Sequence, residues 1–160
     1  MVFPMSVKMR VLLLMLAACC LLPSQGFGAL SESRVKQKIE TLLRDPTSDA
    51  ARMAGAEVIK FAGKSPKYHI ELKVGYMPWV KDSSLPRGSQ ILLAAFIAGN
   101  LREQMRKNSS QPEPYAGVQA TLEVYQKIKR QDPDFHIPGV EKFIAMEQAG
   151  TLKRHIASVR

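Results

Sequence analysis

Three histidines, two cysteines and a scatter of carboxylates are what this chain offers a reaction. His69 and Glu71 stand two residues apart, a spacing that turns both side chains to one face of a strand. There they could share a metal ion or relay a proton. The polar outer face of an amphipathic strand calls for the same residues. His136 and His155 fall in other segments, and no His-x-x-x-His or Glu-bearing variant of it is present. No metal site is therefore expected. Acyl transfer needs a nucleophile beside a base. Gly-x-Ser-x-Gly is missing, and Ser89 stands where a helix-capping serine belongs. Gly63-Lys64-Ser65 is the tail of a phosphate-loop string whose first glycine is replaced by Val58. Glu57, Glu71, Asp82 and Glu103 could serve glycoside cleavage, but no spacing rule pairs them. Neither a catalytic residue nor a cofactor is expected.

A second constellation suits binding rather than reaction. Tyr76-Met77-Pro78-Trp79-Val80 sets two aromatic residues and a methionine in a proline-bent stretch. Such residues dominate interaction hot spots. Trp79 is also the only tryptophan, and a small core takes its tryptophan inside, at least in part. Tyr76, Trp79, His69 and Glu71 are the candidate interaction residues.

The N-terminus bears on where this chemistry would operate. Lys8 and Arg10 precede an unbroken apolar run, Val11 to Leu22. Pro23 ends it, and the small residues Ser24, Gly26 and Gly28 follow. That is the layout of a secretory signal, expected over residues 1–28, with cleavage after Gly26 or Gly28. The run is shorter than the roughly 20 residues a membrane span needs. Leu16-Ala17-Ala18-Cys19 resembles a bacterial lipobox, which implies a second ending: residues 1–18 removed and Cys19 lipidated. Against it, Cys20-Leu21-Leu22 stays apolar where a lipoprotein has a polar tether. Cleavage after residue 28 would leave no thiol, hence no disulfide framework.

Residues 29–160 then form one domain of ordinary size. Of 23 basic residues, two lie in the leader, and all 14 acidic residues lie beyond it. The net charge of +9 therefore falls to about +7 on cleavage. The surplus is spread along the chain. It favours anionic partners, such as a membrane surface or wall polymer, over any defined groove. Nucleic acid is not an expected partner outside the cell.

The apolar pattern places the elements. Val35, Ile39, Leu42 and Leu43 form one helical stripe, capped by Ser31 or Ser33 and ended by Asp45-Pro46. A second helix starts near Asp49 and puts Ala54, Val58, Phe61 and Ala62 on one face. Gly55 weakens it or lets a neighbour come close. Tyr68, Ile70, Leu72 and Val74 then alternate with polar residues, which predicts a strand, with 76–80 as its short partner or another chain in that role. From Ile91 to Gly99 the chain is apolar all round, the mark of a buried helix over 89–107 that emerges into solvent from Arg102. Further helices follow over 115–130, from Pro138, and after Thr151. The fold expected is mainly α: a compact bundle of about five helices around 89–107, with one short strand or two-stranded ribbon over 67–80.

Three functions fit. The first is an exported, non-catalytic interaction module of the cell envelope, of the immunity, inhibitor or assembly-factor kind, with a protein partner there. The second is a basic protein adhering to anionic membrane or wall polymer. The third is a small hydrolase working through His69 and Glu71.

Overall fold

The computed structural model describes residues 30–81 and 89–160. The leader, both cleavage zones and Cys19 lie outside the described residues. Six α-helices are described: α1 (Glu32–Arg44), α2 (Asp49–Lys64), α3 (Gln90–Lys107), α4 (Pro114–Gln131), α5 (Pro138–Gln148) and α6 (Leu152–Ser158). Two 3-10 turns, Val74–Tyr76 and Pro78–Lys81, come between α2 and α3. No described helix is long and apolar enough to cross a membrane.

The stripe predicted on α1 is buried whole, and of that predicted on α2 Ala54 and Val58 are buried while Phe61 and Ala62 are half-buried. On α1, Val35, Ile39, Leu42 and Leu43 are buried, and the Ser31 side chain accepts from the Arg34 N–H. On α2, Ala51, Ala54, Gly55 and Val58 are buried, under a Ser48 cap. Ser89 stands at the start of α3 but makes no side-chain cap bond; its carbonyl accepts the Leu92 N–H instead.

α3 is the axis. It packs against α1, α2 and, most extensively, α4. Its burial outlasts the apolar run: Arg102 is exposed as expected, yet Gln104 and Met105 one turn on are buried. Two glycines permit the α3–α4 contact. A Cβ on Gly99 would meet the Ala120 Cβ at 2.6 Å and the Ala116 backbone closer still. A Cβ on Gly117 would meet the Phe96 carbonyl oxygen at 2.8 Å and crowd Asn100. Thr121 completes the seam, its hydroxyl 3.4 Å from the Leu92 carbonyl. Later positions on α4 meet earlier positions on α3, so the helices run antiparallel, as their short connection predicts.

Two fully buried amides lie along the same helix. Asn100 accepts the Glu113 N–H at 2.8 Å and so holds the start of α4. Gln104 donates to the His69 carbonyl at 2.8 Å and accepts the His69 N–H at 3.2 Å. Both bonds satisfy buried polar atoms that would otherwise be costly.

The Gln104 contact explains why the expected strand and ribbon are not there. Among the described residues there is no strand. One residue can offer its N–H and C=O to a single amide when the chain is extended, and Lys73 is extended too (φ −110°, ψ 141°). Residues 68–72 form no helix, turn or bend and, among the described residues, make no backbone–backbone hydrogen bond, so this is extended chain without a strand partner. A side chain of α3 takes that place. The alternation also fails toward its end: Tyr68 is buried, but Leu72 and Val74 are 55% and 43% exposed. The expected partner stretch, 76–80, folds instead into the 3-10 turns.

Gly99→Ala and Gly117→Ala should each cost about 1–3 kcal/mol by overpacking. Gly63→Ala, whose Cβ would meet nothing within 4 Å, should be neutral or stabilising by up to about 1 kcal/mol; urea denaturation separates the two classes. Gln104→Leu should cost about 1–3 kcal/mol, because the His69 backbone groups lose their partner. Chemical-shift changes should centre on residues 67–73.

Candidate binding cleft

One cleft of about 490 Å³ opens where α2, the start of α3 and the end of α4 meet. It is built from small residues on one side and branched ones on the other. Gly55 and Ala56 of α2 leave the helix surface bare, because small side chains at i and i+1 fill little space. At its base a Cβ on Gly55 would stand 3.0 Å from the Ala94 Cβ. Ile91 of α3, Ile128 of α4 and Phe135 beyond α4 form the opposite wall, and Ile59, 38% exposed, stands at the rim.

The walls are held by polar ties. The Thr47 hydroxyl donates to Gln131 Oε1 at 2.8 Å, and Lys127 Nζ donates to the Leu43 carbonyl at 2.5 Å. The first binds the α1–α2 connection, and the second the last turn of α1, to the end of α4. Tyr125, fully buried, organises the loop that carries Phe135. Its hydroxyl donates to Glu141 Oε1 at 2.6 Å, lies 3.3 Å from the Phe135 carbonyl, and accepts the Ile137 N–H at 3.2 Å. Glu141 also pairs with Lys129, and His136 Nδ1 lies 3.6 Å away. The Lys129 ammonium, and next the Tyr125 hydroxyl, hold the Glu141 carboxyl below its usual range. Burial, and next the same carboxylate, pushes the Tyr125 phenol up.

Chemically the cleft can bind but has little with which to react. Among the described residues, Arg52 and Asp132 are its only ionisable lining residues, and Arg52 is paired with Asp49. Among the described residues no three His, Cys, Asp or Glu groups could hold a metal ion.

The residues singled out in the sequence lie elsewhere. Trp79 and Tyr76 are 2% and 4% exposed, so both rings belong to the core, Tyr76 stacked on Phe96 at 6.3 Å between centroids. His69 is an exposed side chain on the Gln104-held segment. Glu71 is engaged by Lys73 at 3.0 Å and by the Tyr76 hydroxyl at 3.1 Å. The Lys73 ammonium holds its carboxyl below the usual range. The structure brings Glu71 to Tyr76 and gives it no bond to His69. No motif marks the cleft residues, because they belong to three helices and two connections distant in sequence; the one local signal is Gly55, beside the exposed Ile59 of the same helix.

Comparison with protein-family models, with curated proteins and with solved structures found no match to this chain.

Acid should loosen this wall. A carboxyl whose folded pKa is depressed contributes stability above its unfolded pKa and loses it as pH falls through the folded value. Stability should therefore drop as pH falls below about 4.5, the ordinary glutamate value. Glu103, held at about 2 by Arg106, adds to the same acid limb. Its share is small, because Arg106 is 66% exposed and solvent screens the pair. Glu141→Gln should be less stable than wild type at pH 7 and should flatten the drop toward pH 3, measured by urea midpoints.

Proposed function

We propose that this is an exported cell-envelope protein acting as a non-catalytic interaction module, of the immunity, inhibitor or assembly-factor kind, and that the cleft is where it receives its protein partner. The observation that carries this reading is the lining. Gly55, Ala56, Ile59, Ile91, Ala94, Ile128 and Phe135 present apolar surface, while Thr47, Gln90, Gln131 and Asp132 supply polar groups around it. An apolar pocket with a polar surround is what takes the buried anchor residues of a partner. The occupant is a protein segment that inserts one or two large apolar side chains. The leader supports export, since Lys8 and Arg10, the unbroken apolar run to Leu22 and the small residues after it have the three-part composition of a secretory signal.

Two measurements test this. Mass spectrometry of the mature chain should find an N-terminus just after Gly26 or Gly28; a retained Met1 would remove export. Cross-linking in envelope extracts should capture one partner in stoichiometric yield. Ala56→Trp, which fills the cleft from an exposed helix position, and Ile59→Asp, which charges its rim, should each reduce capture at least tenfold without lowering the melting temperature. Equal capture by both variants, or no partner at all, would overturn the reading.

A further inference from the structure

We propose that the extended segment 68–73 is a pairing edge for a second copy of this chain, joined antiparallel about a two-fold axis at Leu72. In an extended chain, successive residues turn their N–H and C=O to opposite edges. Gln104 takes both groups of His69, so one edge faces α3. Ile70 and Leu72 turn theirs to the other edge. Among the described residues nothing hydrogen-bonds to the backbone of either. Beside that edge Leu72 and Val74 are 55% and 43% exposed, uncommon for large aliphatic groups so close together.

Charge and backbone geometry select the register. Centred on Leu72, the two copies exchange both N–H and C=O bonds between their Leu72 residues. Each Glu71 then stands opposite a Lys73 of the other copy, twice over by symmetry. Ile70 comes opposite Val74, where the 3-10 turn ends the ladder. Centring on Ile70 instead would oppose Lys67 to Lys73, a like-charge pair that destabilises antiparallel pairing. Centring on Glu71 is closed, because its backbone groups face the Gln104 edge. The Leu72 register alone meets the free backbone groups, covers the exposed aliphatic residues and matches opposite charges. A β-edge left open is a known template for such addition. This surface is separate from the cleft, so either proposal can fail alone.

Sedimentation of the mature chain should show a monomer–dimer equilibrium across the micromolar range. Glu71→Lys and Lys73→Glu should each weaken dimerisation at least tenfold, since each opposes like charges across the axis. Mixing the two variants should restore it, because one copy then brings two lysines and the other two glutamates. A second measurement does not depend on charge. Hydrogen-bonded antiparallel partners have Cα atoms about 5.5 Å apart, within disulfide reach. Leu72→Cys should therefore oxidise to a covalent dimer, while Ala149→Cys, an exposed position on another face, should not. A chain that stays monomeric at all concentrations, single-charge variants that dimerise like wild type, or a Leu72→Cys chain that oxidises no faster than the Ala149→Cys control would each overturn the proposal.

Discussion

The antiparallel contact between α3 and α4 is the constraint to which the other elements answer. Gly99 and Gly117 face each other's helix with no side chain between, so the two backbones come closer than any larger residue would allow. That closeness brings the Phe96 carbonyl, the Asn100 amide and the Thr121 hydroxyl into one dry seam. Burial of polar groups is tolerable there because each has a partner. Asn100 fixes where α4 begins. One turn on, Gln104 fixes the segment that links α2 to the 3-10 turns. α3 is thus both the apolar axis and the source of the two side-chain bonds that locate irregular chain on its surface.

The cleft follows from this frame. α4 is fixed to α3 along its first half, and its far end is tied to the α1–α2 connection by Thr47–Gln131 and to the last turn of α1 by Lys127–Leu43. Facing those ties α2 places the small residues Gly55 and Ala56, so the space is not filled. The Tyr125–Glu141 bond holds the loop bearing Phe135, which forms the far wall. Rigid helices thus border the cleft, and little ordering would be needed on binding, which favours affinity.

Most of the helical frame was legible in the sequence, because its signals are local. The 3.6-residue stripe of α1, the serine caps, Pro138 at the first turn of α5 and the all-apolar face of α3 each require only neighbours in the chain. What failed to show were pairings across long sequence distances. The alternation from Tyr68 to Val74 signals extended chain correctly, but it cannot say that its partner is a glutamine amide 35 residues on. Gln104 itself reads as one more polar residue on an emerging helix. In sequence Trp79 fits a core plug better than a hot spot, while Tyr76 reads only as a hot-spot residue; the packing places both rings inside. The cleft is assembled from single residues of several elements, so no motif announces it.

Native-state hydrogen exchange decides whether α3 organises the chain around it, because the His69 and Glu113 amides each bond to a side chain of α3 and, among the described residues, to no backbone group. If the buried amides of that helix organise the fold, both N–H groups should exchange only through unfolding of most or all of the structure, with protection close to that of the α3 backbone. Exchange of either at the rate of an open loop, while α3 stays protected, would mean that Asn100 and Gln104 are passengers rather than organisers.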